Sequence, residues 1–453
     1  MRDIHISREL YHAAERGDLP KEFLEEIQAE HLLARCPCCR AEAEAYASRR
    51  SAGFFAWSRV LQLISHFVPL WLTPSERELR GAQRDFEELL ALAPEDRASR
   101  LARARSRFRS PALVRLLLDE GRRRLPGHPV EAFHLAELAR MVANRNPRMP
   151  EFFELYVLAT AAQANACRVQ DENGRAEELF TLARQIMDQH GVADPSVIAR
   201  VDDLEGSLRK DQRRLPEAEK LLKRAAALYF LTRSTEERAR VLVKLADTYC
   251  ARGALALAIE TTQTVLGLLG PKSEPHLRVC AHYNLTFYLA SAGRFDEAAD
   301  LLEVDEPLYR DFPEPWVHLR LLWLRADIAA GKGDLAAAER LYRETREGFT
   351  THRMAYDAAT VSLDLAILYL RQERLVDVQT LAEEMLVIFQ AQDVDREALA
   401  ALRLFQEAAR RQELTVEKVR EIVSWLRRSA TDQEGSLDSL PRPSSFPPSR
   451  PAG

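Results

Sequence analysis

At 453 residues the chain is too long for one ordinary compact core and calls for several domains or an elongated repeat array. Ala, Leu, Arg and Glu dominate, Gly is held to 17 and β-branched residues are sparse, the balance of a chain that is mostly helix. Lys and Arg total 64 against 69 Asp and Glu, a net charge of -5, so the global balance asks for neither nucleic acid nor an anionic membrane, though a local patch could still bind either.

Met1 to His5 lack the uninterrupted apolar core of a secretory signal, so export is not expected. The first chemical feature is the run Glu30-His31-Leu32-Leu33-Ala34-Arg35-Cys36-Pro37-Cys38-Cys39-Arg40. Cys36 and Cys39 have the two-residue gap that lets two thiolates reach one tetrahedral zinc, and His31 lies close enough to supply a third ligand. From about residue 8 to 50 the segment resembles the zinc-binding module of anti-sigma factors, in which a His is followed by Cys-x-x-Cys. It departs from that pattern because four residues, not three, separate His31 from Cys36, so metal binding requires a break in the helix there. The fourth ligand would be His12, then His5, or else Cys38. Three readings stand: a bound zinc, a metal-free vestige of the same helical module, and a redox-sensing thiol cluster. The resemblance implies N-terminal helices that clasp a transcription-initiation factor. The other cysteines, Cys167, Cys250 and Cys280, are scattered through helical patterns, which fits no disulfide framework and points to a reducing cytoplasm.

Residues 51–149 read as a helical connector with degenerate repeats. The apolar window Phe54 to Leu72 is interrupted by Ser58, Arg59, Gln62, Ser65 and His66. Its large residues recur at spacings of three and four, so a packed amphipathic helix is expected, with a membrane-surface helix as the alternative. Between Arg97 and Arg124 arginines crowd; acidic residues beside them favour a solvated face over a basic binding patch.

Residues 150–392 carry internal repeats. Small residues fall at Ala164, Gly206, Ala246, Thr286, Ala326 and Ala366, 42 and then 40 residues apart. Twelve positions after each comes Ala176, Ala218, Ala258, Ala298, Ala338 or Val378, and four further on a larger residue in most units, namely Phe180, Leu222, Leu302 and Tyr342. Two antiparallel helices approach closely only where small side chains meet, so each unit is a helical hairpin. Gly293 and Gly333 stand where a first helix ends. On the stretches Tyr283-Asn284-Leu285-Thr286 through Ala298 and Trp323 through Tyr342 the chain resembles the tetratricopeptide-repeat family, with a period of 40 where that family has about 34. The resemblance implies an all-α, right-handed solenoid of helical hairpins, preceded by the small helical module of residues 1–50, and a groove lined by first helices. By the family pattern the groove-facing positions are Asp203, Lys210, Asp247, Tyr283, Phe287, Trp323, Asp327 and Arg371; the alternative for the three aromatics is packing between hairpins. The longer period is loosely similar to the repeats of bacterial regulators that sense peptides or sugars.

Residues 393–428 read as two capping helices, Arg396 to Arg411 and Thr415 to Arg428, the second opened by the capping residue Thr415. From 429 to 453 the composition collapses into Ser, Pro and charge, as expected of a disordered tail. No Gly-rich phosphate loop, His-Glu-x-x-His, Gly-x-Ser-x-Gly or calcium loop is present, so no enzymatic activity is indicated. The expected function is a cytoplasmic, non-catalytic adaptor that holds a protein or peptide in its groove. Two alternatives remain open. One is a regulator in which a peptide in the groove alters what the N-terminal zinc module binds; the other is a structural subunit of a larger assembly.

Overall fold

A computed structural model of the chain describes residues 76–391, apart from 105–106, 146, 148–150, 271–272, 311 and 313, and then 405–406, 408–409 and 415–430. The expected zinc ligands His12, His31, Cys36, Cys38 and Cys39, the apolar window 54–72 and the tail from 431 lie outside these residues. Among the described residues the elements are helices with no strand, so the all-α expectation holds. The chain divides into two compact units between Val241 and Leu242.

In the first unit α1 (Glu76–Leu90), α2 (Pro94–Arg103), α3 (Pro111–Arg124) and α4 (Pro129–Asn144) precede the hairpins α5 (Phe152–Val169) with α6 (Asn173–His190) and α7 (Pro195–Asp211) with α8 (Leu215–Leu231). Phe86, Leu101, Phe108, Leu113, Leu117, Leu135 and Val142 share one core with α5 through Leu155 and Ala159. Proline at the first helical position starts α2, α3, α4 and α7, where its missing N–H costs no helical bond. The side chains of Ser110 and Asp194 cap α3 and α7 by accepting from the exposed first-turn N–H groups.

The division falls within α9 (Thr235–Ala251), which pairs in sequence with α10 (Leu255–Leu268). The second unit continues with α11 (Pro275–Ser291), α12 (Phe295–Val304), the short α13 (Glu306–Arg310), α14 (Pro315–Gly331), α15 (Leu335–Thr351), α16 (Ala355–Arg371) and α17 (Leu375–Ala391). A last helix, α18 (Val416–Ala430), begins where the sequence predicts, with the Thr415 hydroxyl accepting from the Lys418 N–H at 3.3 Å.

All twelve small or slim residues of the repeat pattern are buried, from Ala164 and Ala176 to Ala366 and Val378. Gly206 shows how tight the contact is: a Cβ there would meet Leu222 Cγ at 2.9 Å. The hairpin turns repeat with the same period. A left-handed residue stands seven positions after each marker, at Asp171, Arg213, Gly253, Gly293, Gly333 and Glu373. The N–H that follows it reaches back to close the helix end, as in Arg214 to the Arg209 carbonyl and Arg294 to the Leu289 carbonyl.

First and second helices are buried differently. Most second helices spend one stripe on packing, such as Ala176, Phe180, Ala183 and Met187 on α6 or Ala338, Tyr342, Thr345 and Phe349 on α15, at spacings of four, three and four, whereas α8 is also buried all round from Ala225 to Tyr229. Three first helices are buried all round: Val201 to Arg209 of α7, Tyr283 to Ser291 of α11 and Asp357 to Tyr369 of α16. Fully burying an aliphatic or aromatic side chain contributes roughly 1.5–3 kcal/mol, so the apolar residues of these helices, such as Leu204, Phe287 and Leu365, each add substantially to the packing.

Candidate functional site

The residues expected in the groove separate into two kinds. Tyr283 and Phe287 are 1% and 3% exposed within α11, and Trp323 is fully buried on α14, so these three aromatics belong to the packing between helices rather than to a ligand surface. The reason is geometric: positions next to each marker on a first helix abut neighbouring helices. Trp323 meets Phe349 of α15 edge to face with ring centres 5.9 Å apart. Its indole N–H donates to Asp364 Oδ2 of α16 at 2.9 Å. Asp327 is also buried and accepts from the Tyr342 hydroxyl at 2.6 Å, while Asp203, 2% exposed, faces Arg200 at 3.1 Å. Lys210 and Asp247 are half-buried and Arg371 is exposed at the end of α16. Within the second unit Trp323, Asp327 and Arg371 thus gather around one polar seam, and Asp203 and Lys210 belong to the first unit.

That seam runs between α14, α15 and α16. Burial, and then the carboxylates of Asp327 and Asp364, push the Tyr342 phenol well above its usual range, which keeps it a neutral donor. Arg320, 2% exposed on α14, lies 3.8 Å from the fully buried carboxylate of Asp357 on α16. Sequence reasoning missed Asp364, Asp357 and Tyr342 as polar partners. A signal existed: Trp323 and Asp364 are 41 residues apart, one repeat plus one.

α16 owes its complete burial to a third neighbour. It packs against α15 and α17, and against α18, which follows α17 only after an intervening stretch of chain. Val419 and Val423 of α18 are 0% and 1% exposed and share a core with Ala358, Ala359, Val361 and Leu365, with Val416 and Ile422 partly buried beside them. Glu417, Lys418 and Glu421 face outward, so α18 is an amphipathic helix lying on a first helix by an aliphatic stripe. Arg420 of α18 and Arg371 of α16 come near one another: burial, and then the Arg420 charge, lower the Arg371 guanidinium from its usual value.

The first unit carries a cleft of about 370 Å³ between α6, α7 and α8, with an apolar floor that includes Met187 and Leu221. Its charged rim is stitched together. Asp202, fully buried, takes Arg184 at 2.6 Å and Arg224 at 2.6 Å, and Glu205 joins Arg184 at 2.7 Å to Arg209 at 2.9 Å. With its arginines matched to carboxylates, the rim is of mixed charge and does not form an anion trap. The arginine-rich stretch is matched in the same way: Arg97 and Arg124 meet Glu131, Arg100 meets Glu88, Arg107 meets Asp85 and Glu88, Arg115 meets Glu151 and Arg122 meets Glu237.

Among the described residues no group of three His, Cys, Asp or Glu is placed to hold a metal ion, and no helix is long and apolar enough to cross a membrane. Burial pushes the Cys167 thiol up to about 11, which leaves it protonated at neutral pH.

No known family's sequence profile matches the chain, and no curated protein matches it. Solved structures do. One is a Rap protein complexed with competence and sporulation factor, 12% identical, with a TM-score of 0.54 over 70% of this chain and 87% of the Rap protein. Another is the apo form of RapI, 10% identical, with a TM-score of 0.51 over 72% of this chain and all of RapI. At these identities the likeness is one of fold: the chain is a helical-hairpin repeat protein of the tetratricopeptide-like class.

Proposed function

We propose that the chain is a non-catalytic regulatory adaptor of the cytoplasm that takes a peptide or protein segment on the first helices of its hairpins. The observation that supports this most directly is the seating of α18 on α16: a first helix of this protein has an aliphatic surface that accepts another helix. The first structural neighbour adds support from outside, since it was solved with a bound factor on a similar fold.

The test is selection of peptides from a displayed random library of 20-residue segments against the purified full chain. Saturable enrichment, with protection from hydrogen exchange on α7, α11, α14 or α16, is the expected result. Absence of any saturable binder, or protection confined to the outward stripes of second helices, would remove the reading.

A further inference from the structure

Resting on that reading, we infer that the first unit takes its peptide segment through an acidic side chain, whose carboxylate replaces that of Glu237 on the guanidinium of Arg122. These two residues form a fork: Arg122 Nη1 donates to Glu237 Oε1 at 2.9 Å and Nη2 to Oε2 at 3.1 Å. Two parallel bonds of this kind match the two oxygens of a carboxylate. The seat thus stands in its occupied form, filled by a carboxylate that the chain itself supplies.

The fork lies where a ligand on the first helices would run. Arg122 and Glu237 are 115 residues apart, on α3 and α9, the first helices of hairpins three apart. α3 packs on α5 and α5 on α7, so the row curls until the end of α3 comes within reach of the start of α9. Arg122 directly follows Gly121, the close-packed residue of α3, where a Cβ would meet the Ala132 carbonyl oxygen at 3.4 Å. Its side chain therefore leaves the α3 and α4 contact and stays 41% exposed. Between the two ends α7 adds Arg200 and Asp203, 3.1 Å apart. The Asp203 carboxylate acts on the charge of Arg122, and Arg200 acts on that of Glu237. Charged groups of three first helices meet on one face.

The fork is suited to exchange. Its side chains keep 41% and 30% of their surface, and an ion pair so exposed contributes little to stability. Asp202 of the same unit, 0% exposed between Arg184 and Arg224, is the opposite case, a carboxylate that cannot leave its partners for water. Glu237 keeps a favourable place for its charge after release, because it stands in the first turn of α9, where unpaired N–H groups favour an anion. A segment that brings Glu or Asp to Arg122 recovers the fork and adds the contacts of its other residues, whereas a segment with a neutral residue there leaves Arg122 to Glu237.

The library selection tests this when read for composition. Enriched peptides are expected to share one acidic position and to protect α7 from hydrogen exchange. The most enriched of these, labelled with fluorescein, is then titrated against the full wild-type chain and its variants. Changing the peptide's acid to its amide, or Arg122→Gln in the chain, is expected to weaken binding by at least about tenfold, and the two together by little more than either alone. Glu237→Gln is expected to tighten binding by up to about fivefold, the most that loss of so exposed a competing pair allows. A merely structural fork would give the opposite sign. Arg122→Glu with Glu237→Arg rebuilds the pair in reverse, and this chain should melt like the wild type, reject the acidic peptide and select basic ones.

Peptides with no shared acid, an acidic peptide indifferent to Arg122→Gln, or weaker binding to Glu237→Gln would overturn the inference. If Arg122→Gln fails to fold, the amide peptide and the reversed pair decide. Saturable binders that ignore Arg122 would leave the broader function standing, whereas no saturable binder on any chain would defeat both.

Discussion

The indole N–H of Trp323 donates to the Asp364 carboxylate at 2.9 Å, with both residues fully buried, so two successive first helices are joined by a polar bond inside an aliphatic core. Removing the donor while keeping a ring in place isolates that bond. Trp323→Phe is expected to lower stability by about 1–3 kcal/mol, chiefly because the carboxylate loses a partner it cannot replace with water. Urea unfolding followed by circular dichroism measures it, and an unchanged midpoint would show that the bond contributes nothing.

Ala298 and Ala338 stand where the helices of two hairpins meet, and neither has any exposed surface. Ala298→Trp or Ala338→Trp forces a bulky ring into that contact and should cost about 1–3 kcal/mol or more by overpacking. Near-wild-type melting of both variants would mean that the helices do not approach there.

Arg213 and Glu373 hold the left-handed turn position with φ of 60° and 58°, where three other hairpins use glycine. A side chain there carries a strain of order 1 kcal/mol that glycine avoids, partly offset by the greater freedom of glycine in the unfolded chain. Arg213→Gly and Glu373→Gly are therefore expected to stabilise by a few tenths to about 1 kcal/mol, while Gly293→Ala, at φ 76°, destabilises. Calorimetry on the three variants checks the signs, and a loss of stability in both glycine variants would contradict the strain argument.

Acid should unfold the chain for an identifiable reason. The Arg124 guanidinium holds the Glu131 carboxyl below the usual carboxylate range, Arg209 does the same for Glu177, and Arg374 for Glu339. A folded-state pKa below the unfolded value of about 4.3 gives stability that is complete above that pH. It is lost as pH falls through the lowered folded values. Urea midpoints should thus hold from pH 7 to about 5 and fall toward pH 3, with a shallower fall in Glu131→Gln. A midpoint flat down to pH 3 would show these pairs to be energetically silent.

Most of the architecture was legible because it repeats. Ala164 through Ala366 recur with near-constant spacing, and a recurring small residue has one physical use, close helix contact. The turn glycines Gly253, Gly293 and Gly333 belong to the same rhythm, and stepping 40 or 42 residues either way lands on Arg213, Asp171 and Glu373, which the residue types alone conceal. The ligand surface was less legible. A Trp on a first helix reads equally as a binding platform or as packing, and the decision rests on Asp364 and Phe349, partners whose placement depends on the folded contacts of α14, α15 and α16. Likewise the aliphatic stripe of α18 is plain in the sequence, but its seat on α16 is a tertiary fact.

The single packing stripe of second helices such as α10, α12 and α17 leaves the remainder of their circumference indifferent to chemistry. Val376 and Val304, 75% and 74% exposed, and Leu257 at 45% lie on such outward faces. These are positions where a fluorophore, a spin label or a surface-tethering cysteine can be introduced without disturbing the core. The sequence should also drift fastest along these faces among relatives, so that recognisable kinship fades there long before the fold does.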